Sequence, residues 1–346
     1  GHLHSYTLIC NGCNNRIGGA ADAKLAEDLS FFTDMLKVKK NRQNLHNQVM
    51  DDEEGHEIIV KEAGKSLSLR KPYITKVKKP DETTVHLVVR DKKELKSILD
   101  GLVNKGELRQ EDADAIREKA EVTEYYSPLN KSNSITPEAF PSIIKSAANY
   151  YVEKTRDIAR IKQLVPYIEG NADCRDVLYL HHFKTLPYPT DKQQVTHIIH
   201  IEGNKETGLL YAMMEYYSIY IYIVVLDANY GGEEINMTYT YDVVSATEIN
   251  RDFSCQLTLK ELEEFRNQPH SEYVKYLPHI QERANNVMGV WETMSDKDML
   301  HEIIGKTLGR YPYGCKITPK MMKEVETEIM TFVEQKIIPS FHLKES

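Results

Sequence analysis

Residues 177–250 contain four apolar and tyrosine-rich segments that are separated only by short turns. The segments are VTHIIHIEG, LLYAMMEYY, IYIYIVVLDANYGG and NMTYTYDVV, and glycine, asparagine and aspartate occupy the positions between them. Parallel strands need long crossover connections, whereas antiparallel strands can be joined by a few residues. The block therefore predicts an antiparallel sheet. Strict alternation in IYIYIVVL also predicts that one face of this strand carries isoleucines and the other face tyrosines.

Helical patterns surround this block. Thr136 followed by proline predicts the start of a long helix with an apolar face. In the last hundred residues, Thr258 with Glu261 forms a capping-box pattern, Ser295 is expected to cap a second helix, and Thr318 followed by proline starts a third. The sequence thus predicts an α+β protein whose body is mixed, with an antiparallel sheet and packed helices.

Four regions follow from these patterns. They are an N-terminal region at 1–36 that contains a closely spaced cysteine pair, a small α/β region with a basic segment at 37–134, a long helix with the tyrosine-rich sheet at 135–254, and a helical C-terminal region at 255–346. Within the second region, EIIVKEAG, SLSLRKPYITKV and TTVHLVVR predict three strands. Within the first, Leu25, Leu29, Phe32 and Leu36 recur at helical spacing and predict one amphipathic helix.

Composition limits the class of protein. Hydrophobic residues make up 41% of the 346 residues, which is enough for a substantial core, and the formal net charge of −8 argues against a uniformly basic surface. The five cysteines are an odd number and are not arranged as a disulfide framework, so we expect a reducing, cytoplasmic setting. The first residues lack the features of a secretory signal, and no apolar run approaches the length of a membrane helix, so we expect no membrane association.

The N-terminal stretch LICNGCNNRIGG carries the clearest chemical signal. Cys10 and Cys13 are separated by two residues, a spacing that lets both thiolates bind one tetrahedral zinc ion. Zinc needs four ligands, so this pair is half of a site. A thioredoxin-type redox motif has the same spacing but lies between a strand and a helix, and it gives no reason for the asparagines that follow.

The pattern Cys10-x-x-Cys13-Asn14-Asn15-x-x-Gly18, with Asp22 four residues later, resembles the second half of an HNH endonuclease that carries two zinc knuckles around its ββα-metal core. The resemblance covers about 25 residues, and it implies that region 1–36 is a partial ββα-metal zinc-knuckle region, placed before the mixed body of sheet and helices. It places the first knuckle and the general-base histidine before Gly1. We therefore expect this chain to lack both and to be unable to cut DNA by itself.

The resemblance implies a metal-dependent endonuclease that hydrolyses double-stranded DNA, in bacterial restriction or defence. Asn14 would be a catalytic residue and a ligand of a catalytic Mg²⁺ or Mn²⁺ ion, while Cys10 and Cys13 would hold half of a structural zinc site. A non-catalytic zinc-knuckle module that binds nucleic acid or protein is the alternative. The larger C-terminal body is expected to select the target or to bind a partner, which includes a second copy of the chain.

A basic stretch follows the first helix. Such a stretch is usually a solvated surface or linker, but beside the cysteine pair it is also a candidate DNA-binding surface. Its candidate residues are Lys37, Lys39, Lys40 and Arg42. Elsewhere, His197 and His200 lie three positions apart on a strand and are expected to face opposite sides, so we interpret them as structural rather than metal-binding.

Overall fold

The computed structural model describes residues 18–38, 47–61, 66–78, 83–120, 134–181, 183, 186–253, 257–267 and 274–334. The chain divides into two compact units. One comprises Ser5–Glu153 with Lys162–Asp176, and the other includes Lys154–Ile161 and everything from Val177 onward. Helices and antiparallel sheets occur together, which confirms the α+β class. The division of the chain into four regions remains a prediction from the sequence.

The unit that begins near the N-terminus holds two small sheets and several helices. Strands β1–β3 form one antiparallel sheet and β4 with β5 forms the other. In chain order its elements are α1 (Ala23–Asp28), α2 (Ser30–Met35), β1 (Gln48–Asp51), β2 (Glu57–Lys61), β3 (Ser66–Leu69), β4 (Tyr73–Lys78), β5 (Thr83–Val88), α3 (Lys92–Asn104), α4 (Gln110–Lys119), most of α5 (Phe140–Thr155) and α6 (Val165–Ile168).

Two predictions in this unit need correction. The segment SLSLRKPYITKV forms two strands rather than one, because the chain bends between Leu69 and Tyr73 at a proline that cannot donate to a strand ladder. The single predicted helix around Leu29 is divided into α1 and α2 at that residue. Three of its four predicted apolar positions are nevertheless buried, with Leu29, Phe32 and Leu36 each less than one tenth exposed, while Leu25 is partly exposed.

The second unit is built on a six-stranded sheet in which every neighbouring pair is antiparallel. The strand order is β11-β10-β7-β8-β9-β6, which confirms the predicted antiparallel sheet. Its elements are β6 (Leu178–Leu180), β7 (Thr196–Asn204), β8 (Leu209–Tyr216), β9 (Tyr220–Asp227), β10 (Ile235–Asp242), β11 (Thr247–Ile249), α7 (Leu259–Arg266), α8 (Leu277–Leu308) and α9 (Pro319–Phe332).

One face of this sheet carries the core that positions the cavity described below. Ile221 and Ile223 of β9 lie opposite Glu215 and Met213 of β8, while Tyr222 faces the other side, so the predicted alternation is confirmed. Members of this face pack with Leu262 of α7 in one hydrophobic cluster. This face of the sheet is therefore mainly apolar, with Tyr179 and Tyr211 beside the aliphatic side chains and with single polar residues such as Glu215 enclosed among them.

Local capping signals correctly locate two helix starts. The Thr258 hydroxyl accepts a hydrogen bond from the Glu261 backbone N–H, and Thr318 does the same for Met321. The prediction that Ser295 begins a helix is wrong, because it lies inside the 32-residue helix α8. Within the described ranges, no helix combines the length and the apolar character needed to cross a membrane.

Candidate functional site

Most of the predicted nuclease residues fall outside the described part of the chain. This holds for both cysteines of the knuckle, the candidate metal-binding asparagine and three of the four basic candidates, and their roles remain predictions. These residues are Cys10, Cys13, Asn14, Lys39, Lys40 and Arg42.

Lys37 is the one predicted site residue that the structure describes. Its φ of 52° places it in the left-handed region, directly after α2. The Lys37 N–H donates to the Asp34 carbonyl at 3.2 Å, and the Val38 N–H donates to the Thr33 carbonyl at 2.9 Å. This is the hydrogen-bond pattern that ends a helix. Lys37 thus has a structural role in stopping α2, and its contact with DNA stays a prediction.

The helical segment behind the cysteine motif is attached to α5. Asp22 accepts a hydrogen bond from the Ser142 hydroxyl at 2.6 Å and forms an ion pair with Lys145. Six residues later, buried Asp28 accepts from both the backbone N–H and the hydroxyl of Thr136, at 2.7 and 2.8 Å. Asp22 makes no capping hydrogen bond to α1, so it fixes this segment through α5.

The two histidines of β7 make their contacts within the second unit. His200 is buried, its Nδ1 lies 2.8 Å from the Thr238 hydroxyl, and its ring stacks on Phe253 at 4.4 Å between centroids. His197 alternates with it and lies near Tyr217 on the opposite face. In the described part of the chain, no group of three or more His, Cys, Asp or Glu side chains could hold a metal ion. The interpretation of these histidines as structural rather than metal-binding remains a prediction.

The second unit contains a cavity of about 400 Å³. Its wall is formed by residues 186–194 before β7, by the turn between β8 and β9 at Ser218, by Arg251 after β11, and by the first turns of α8. Ser218 is fixed in place, because its hydroxyl accepts from the Thr196 N–H at 2.8 Å and its own N–H donates to the Thr196 carbonyl at 2.9 Å. The cavity therefore lies against the end of the sheet where β7 begins and β8 ends.

Arg251 is oriented by two neighbours in the cavity wall. Its Nη2 donates to the Gln194 side-chain oxygen at 2.9 Å, and its guanidinium lies 5.2 Å from the centre of the Tyr188 ring. Such contacts position a planar cation without neutralising it. Burial lowers the pKa of Arg251, while the nearby carboxylates of Glu215, Asp191 and Asp242 act in the opposite direction.

Glu215 lies on β8, close enough to the two arginines of the cavity wall for their positive charges to act on its pKa. It is 1% exposed, and its Oε1 accepts a hydrogen bond from the Thr196 hydroxyl at 2.6 Å. Its Oε2 has no hydrogen-bond partner among the described residues. Burial raises the pKa of Glu215 to about 8, although the positive charges of Arg251 and Arg283 oppose this rise. The carboxyl group is therefore largely protonated near neutral pH.

Arg283 of α8 also lines the cavity. All three of its guanidinium nitrogens are buried, and none of them has an acceptor within the described parts of the chain. Burial lowers the pKa of Arg283, with Glu215 acting in the opposite direction. A guanidinium remains charged in proteins and carries five N–H donors. An enclosed cation without acceptors is energetically costly, and this cost distinguishes Arg283 from a solvated surface arginine.

Sequence reasoning did not identify this cavity. Glu215 stands alone in the apolar strand LLYAMMEYY, and a single acidic residue at a core position is the signal that could have marked it. Arg251 and Arg283 carry no local pattern that separates them from surface arginines. Burial alone distinguishes them, and burial is set by residues far away in sequence.

Comparisons with known proteins give no relative. Neither models of protein families, nor curated proteins, nor solved structures match this chain.

Proposed function

We propose that this chain belongs to a metal-dependent DNA endonuclease of the HNH type. One observation carries the proposal: the pattern Cys10-x-x-Cys13-Asn14-Asn15-x-x-Gly18 followed by a helical segment. In the described residues the chain is helical from Gly18 into α1, and this supports the proposal because the HNH resemblance implies a helix after the second knuckle. Its attachment to α5 would give the motif a rigid support, which a catalytic constellation needs.

The donor types of the motif suit the two kinds of metal ion. Two cysteine thiolates at this spacing are typical zinc ligands, and the side-chain oxygen of Asn14 suits Mg²⁺ or Mn²⁺. A catalytic divalent ion supplies, when bound, polarisation of the phosphate that is attacked. The role of Asn14 is to hold that ion at the start of the helix, and the role of Cys10 and Cys13 is to fix the loop that presents Asn14.

The DNA-binding part of the proposal concerns Lys37, Lys39, Lys40 and Arg42. Positive side chains close to the catalytic loop would neutralise backbone phosphates and hold double-stranded DNA in register. The second unit would choose the target or bind a partner, which includes a second copy of the chain. We place the protein in the cytoplasm, where free thiols such as those of Cys174 and Cys315 persist.

Plasmid cleavage with Mg²⁺ or Mn²⁺ tests the endonuclease. The assay uses the native open reading frame, so that any residues preceding Gly1 are retained. Asn14→Ala should reduce the cleavage rate by more than about 100-fold, because even residues that only support a metal ligand cost 10- to 100-fold in metal affinity. Asn250→Ala is the matched control, since it makes the same chemical change at an exposed position. Equal cleavage by both variants would refute the role of Asn14.

Zinc content tests the knuckle separately. Cys10→Ser should lose the zinc, whereas Cys315→Ser should keep it, because Cys315 is an exposed free thiol. A native protein that binds zinc but does not cut DNA would favour the non-catalytic binding module. A native protein with neither zinc nor cleavage would refute the HNH assignment.

A further inference from the structure

We propose that the cavity of the second unit binds a small organic carboxylate. The carboxylate group would be held by Arg251 and Arg283, and the apolar part of the ligand would lie against Tyr188 and its neighbours in the cavity wall. The inference goes beyond the endonuclease proposal and does not depend on it, because the cavity is formed entirely by residues of the second unit.

The first argument is a count of hydrogen-bond donors and acceptors. The Arg283 guanidinium has five N–H donors, and no acceptor reaches them within the described residues. Ionised Glu215 can accept roughly four hydrogen bonds, and the Thr196 hydroxyl already donates one of them. Even if Arg283 donated to every remaining site on Glu215, at least two of the N–H groups of Arg283 would have no acceptor. A ligand carboxylate supplies two oxygens in the planar geometry that matches a guanidinium.

The second argument is the position of Arg283 at the cavity. Its side chain lines the cavity, while its nitrogens are enclosed beside the sheet. The guanidinium stands at the end of a flexible stem, so a change of side-chain rotamer can turn it toward the cavity. A ligand anion would compensate the buried charge and thereby favour that rotamer. Arg251, already held by Gln194 and Tyr188, offers a second cation at the same wall.

The third argument concerns charge. Arg251, Arg283 and Lys192 supply three positive charges among the lining side chains, and Asp191 and Glu282 supply two negative ones. The difference between these two counts is one positive charge. A monoanion such as a carboxylate matches it, whereas a phosphate dianion would bring one negative charge too many.

The fourth argument concerns the rest of the ligand. Phe183, Leu186, Tyr188 and Val287 form an apolar part of the wall, next to the polar side chains of Gln194 and Ser218. Sites for small molecules are typically apolar clefts of roughly 300–1,000 Å³ with a few convergent polar groups. The cavity of about 400 Å³ falls in this range. It has room for a carboxylate attached to an aromatic ring system or a medium-length alkyl chain.

Isothermal titration calorimetry with the full chain tests the proposal. The probes are naphthoate and octanoate, with naphthamide and octanamide as neutral counterparts of the same shape. Each carboxylate should bind at least about tenfold more tightly than its amide, because a hydrogen bond to a charged group is worth about one factor of ten or more. The aromatic and the aliphatic pair together show which apolar body the cavity prefers.

Variants locate the bound carboxylate. Arg251→Gln and Arg283→Gln should each weaken binding about tenfold or more, while Arg251→Lys should weaken it less, because lysine keeps the charge but loses the planar fork. Lys205→Gln is the control, since Lys205 is exposed in the turn after β7. Far-UV circular dichroism on every variant separates a lost ligand contact from a lost fold.

Three results would overturn the proposal. The first is equal binding of carboxylates and amides, and the second is the absence of carboxylate binding by the folded native chain. The third is tighter binding of inorganic phosphate than of either carboxylate. The titrations are repeated with Asn14→Ala, whose ligand binding should be unchanged, so failure of the cavity and failure of the nuclease motif are told apart.

Discussion

Glu215→Gln should make the second unit more stable at neutral pH, and the gain should grow as the pH rises. Burial raises the pKa of Glu215 from 4.5 to about 8, so the folded protein holds this proton more tightly than the unfolded chain does. Wild-type stability is therefore highest below pH 4.5 with respect to this group, and it falls as the pH rises toward about 8. Glutamine has nearly the same shape and no proton to lose.

The size of the effect follows from the pKa difference. One pKa unit corresponds to about 1.36 kcal/mol, so the full rise corresponds to a penalty on the order of 5 kcal/mol above pH 8 and about 3 kcal/mol at pH 7. The glutamine oxygen can still accept from the Thr196 hydroxyl, which holds Glu215 at 2.6 Å. Any misfit of the new amide N–H groups beside the arginines adds an offset that does not depend on pH.

Urea denaturation across the pH window from 4.5 to about 8 measures this difference. Trp291 is the only tryptophan of the chain and lies in α8, so its fluorescence follows the unit that contains Glu215. Glu248→Gln, an exposed position on the edge strand of the same sheet, is the control for the loss of one carboxyl group. A difference in the free energy of unfolding between Glu215→Gln and wild type that stays constant with pH would refute the reasoning.

Two further substitutions test local features of the second unit. Thr258→Ala should lower the free energy of unfolding by about 1 kcal/mol, because it removes the hydroxyl that caps α7. Thr258→Ser keeps a hydroxyl at this position and should retain most of the stability, and urea denaturation compares the two variants. Gly203→Ala should lower the free energy of unfolding by about 1–3 kcal/mol in the same assay, because an added Cβ would lie 2.8 Å from Leu210 and 2.9 Å from Tyr230, which are both buried. An unchanged free energy of unfolding would show that these two side chains can move.

Local signals in the sequence predicted a good part of the fold. The antiparallel sheet follows from strands joined by short turns, and the two faces of β9 follow from the alternation of isoleucine and tyrosine. The starts of α7 and α9 follow from threonine caps, since a cap acts within three residues of the chain. These features depend on neighbours in sequence, and so the sequence contains the information needed to predict them.

Predictions failed where distant packing decides between local alternatives. Ser295 has the side chain of a cap, yet it lies inside α8, a 32-residue helix that packs against α9, and no cap pattern reveals that packing. The segment around Leu29 has one continuous apolar stripe, yet it is divided into α1 and α2. Periodicity identifies the buried positions but does not determine where a helix is interrupted.

The sequence by itself determined the chemical proposal for the N-terminus, because the ligand spacing of Cys10, Cys13 and Asn14 is a local property. Only the tertiary structure brought Glu215 close enough to Arg283 for the positive charge of the arginine to act on its pKa, since the two residues lie on different elements of the second unit, a strand and a helix. The sequence does not show whether an acidic or basic residue is solvated or enclosed. Its pKa, its unmet hydrogen bonds and its capacity to hold a ligand arise from burial, which depends on the whole fold.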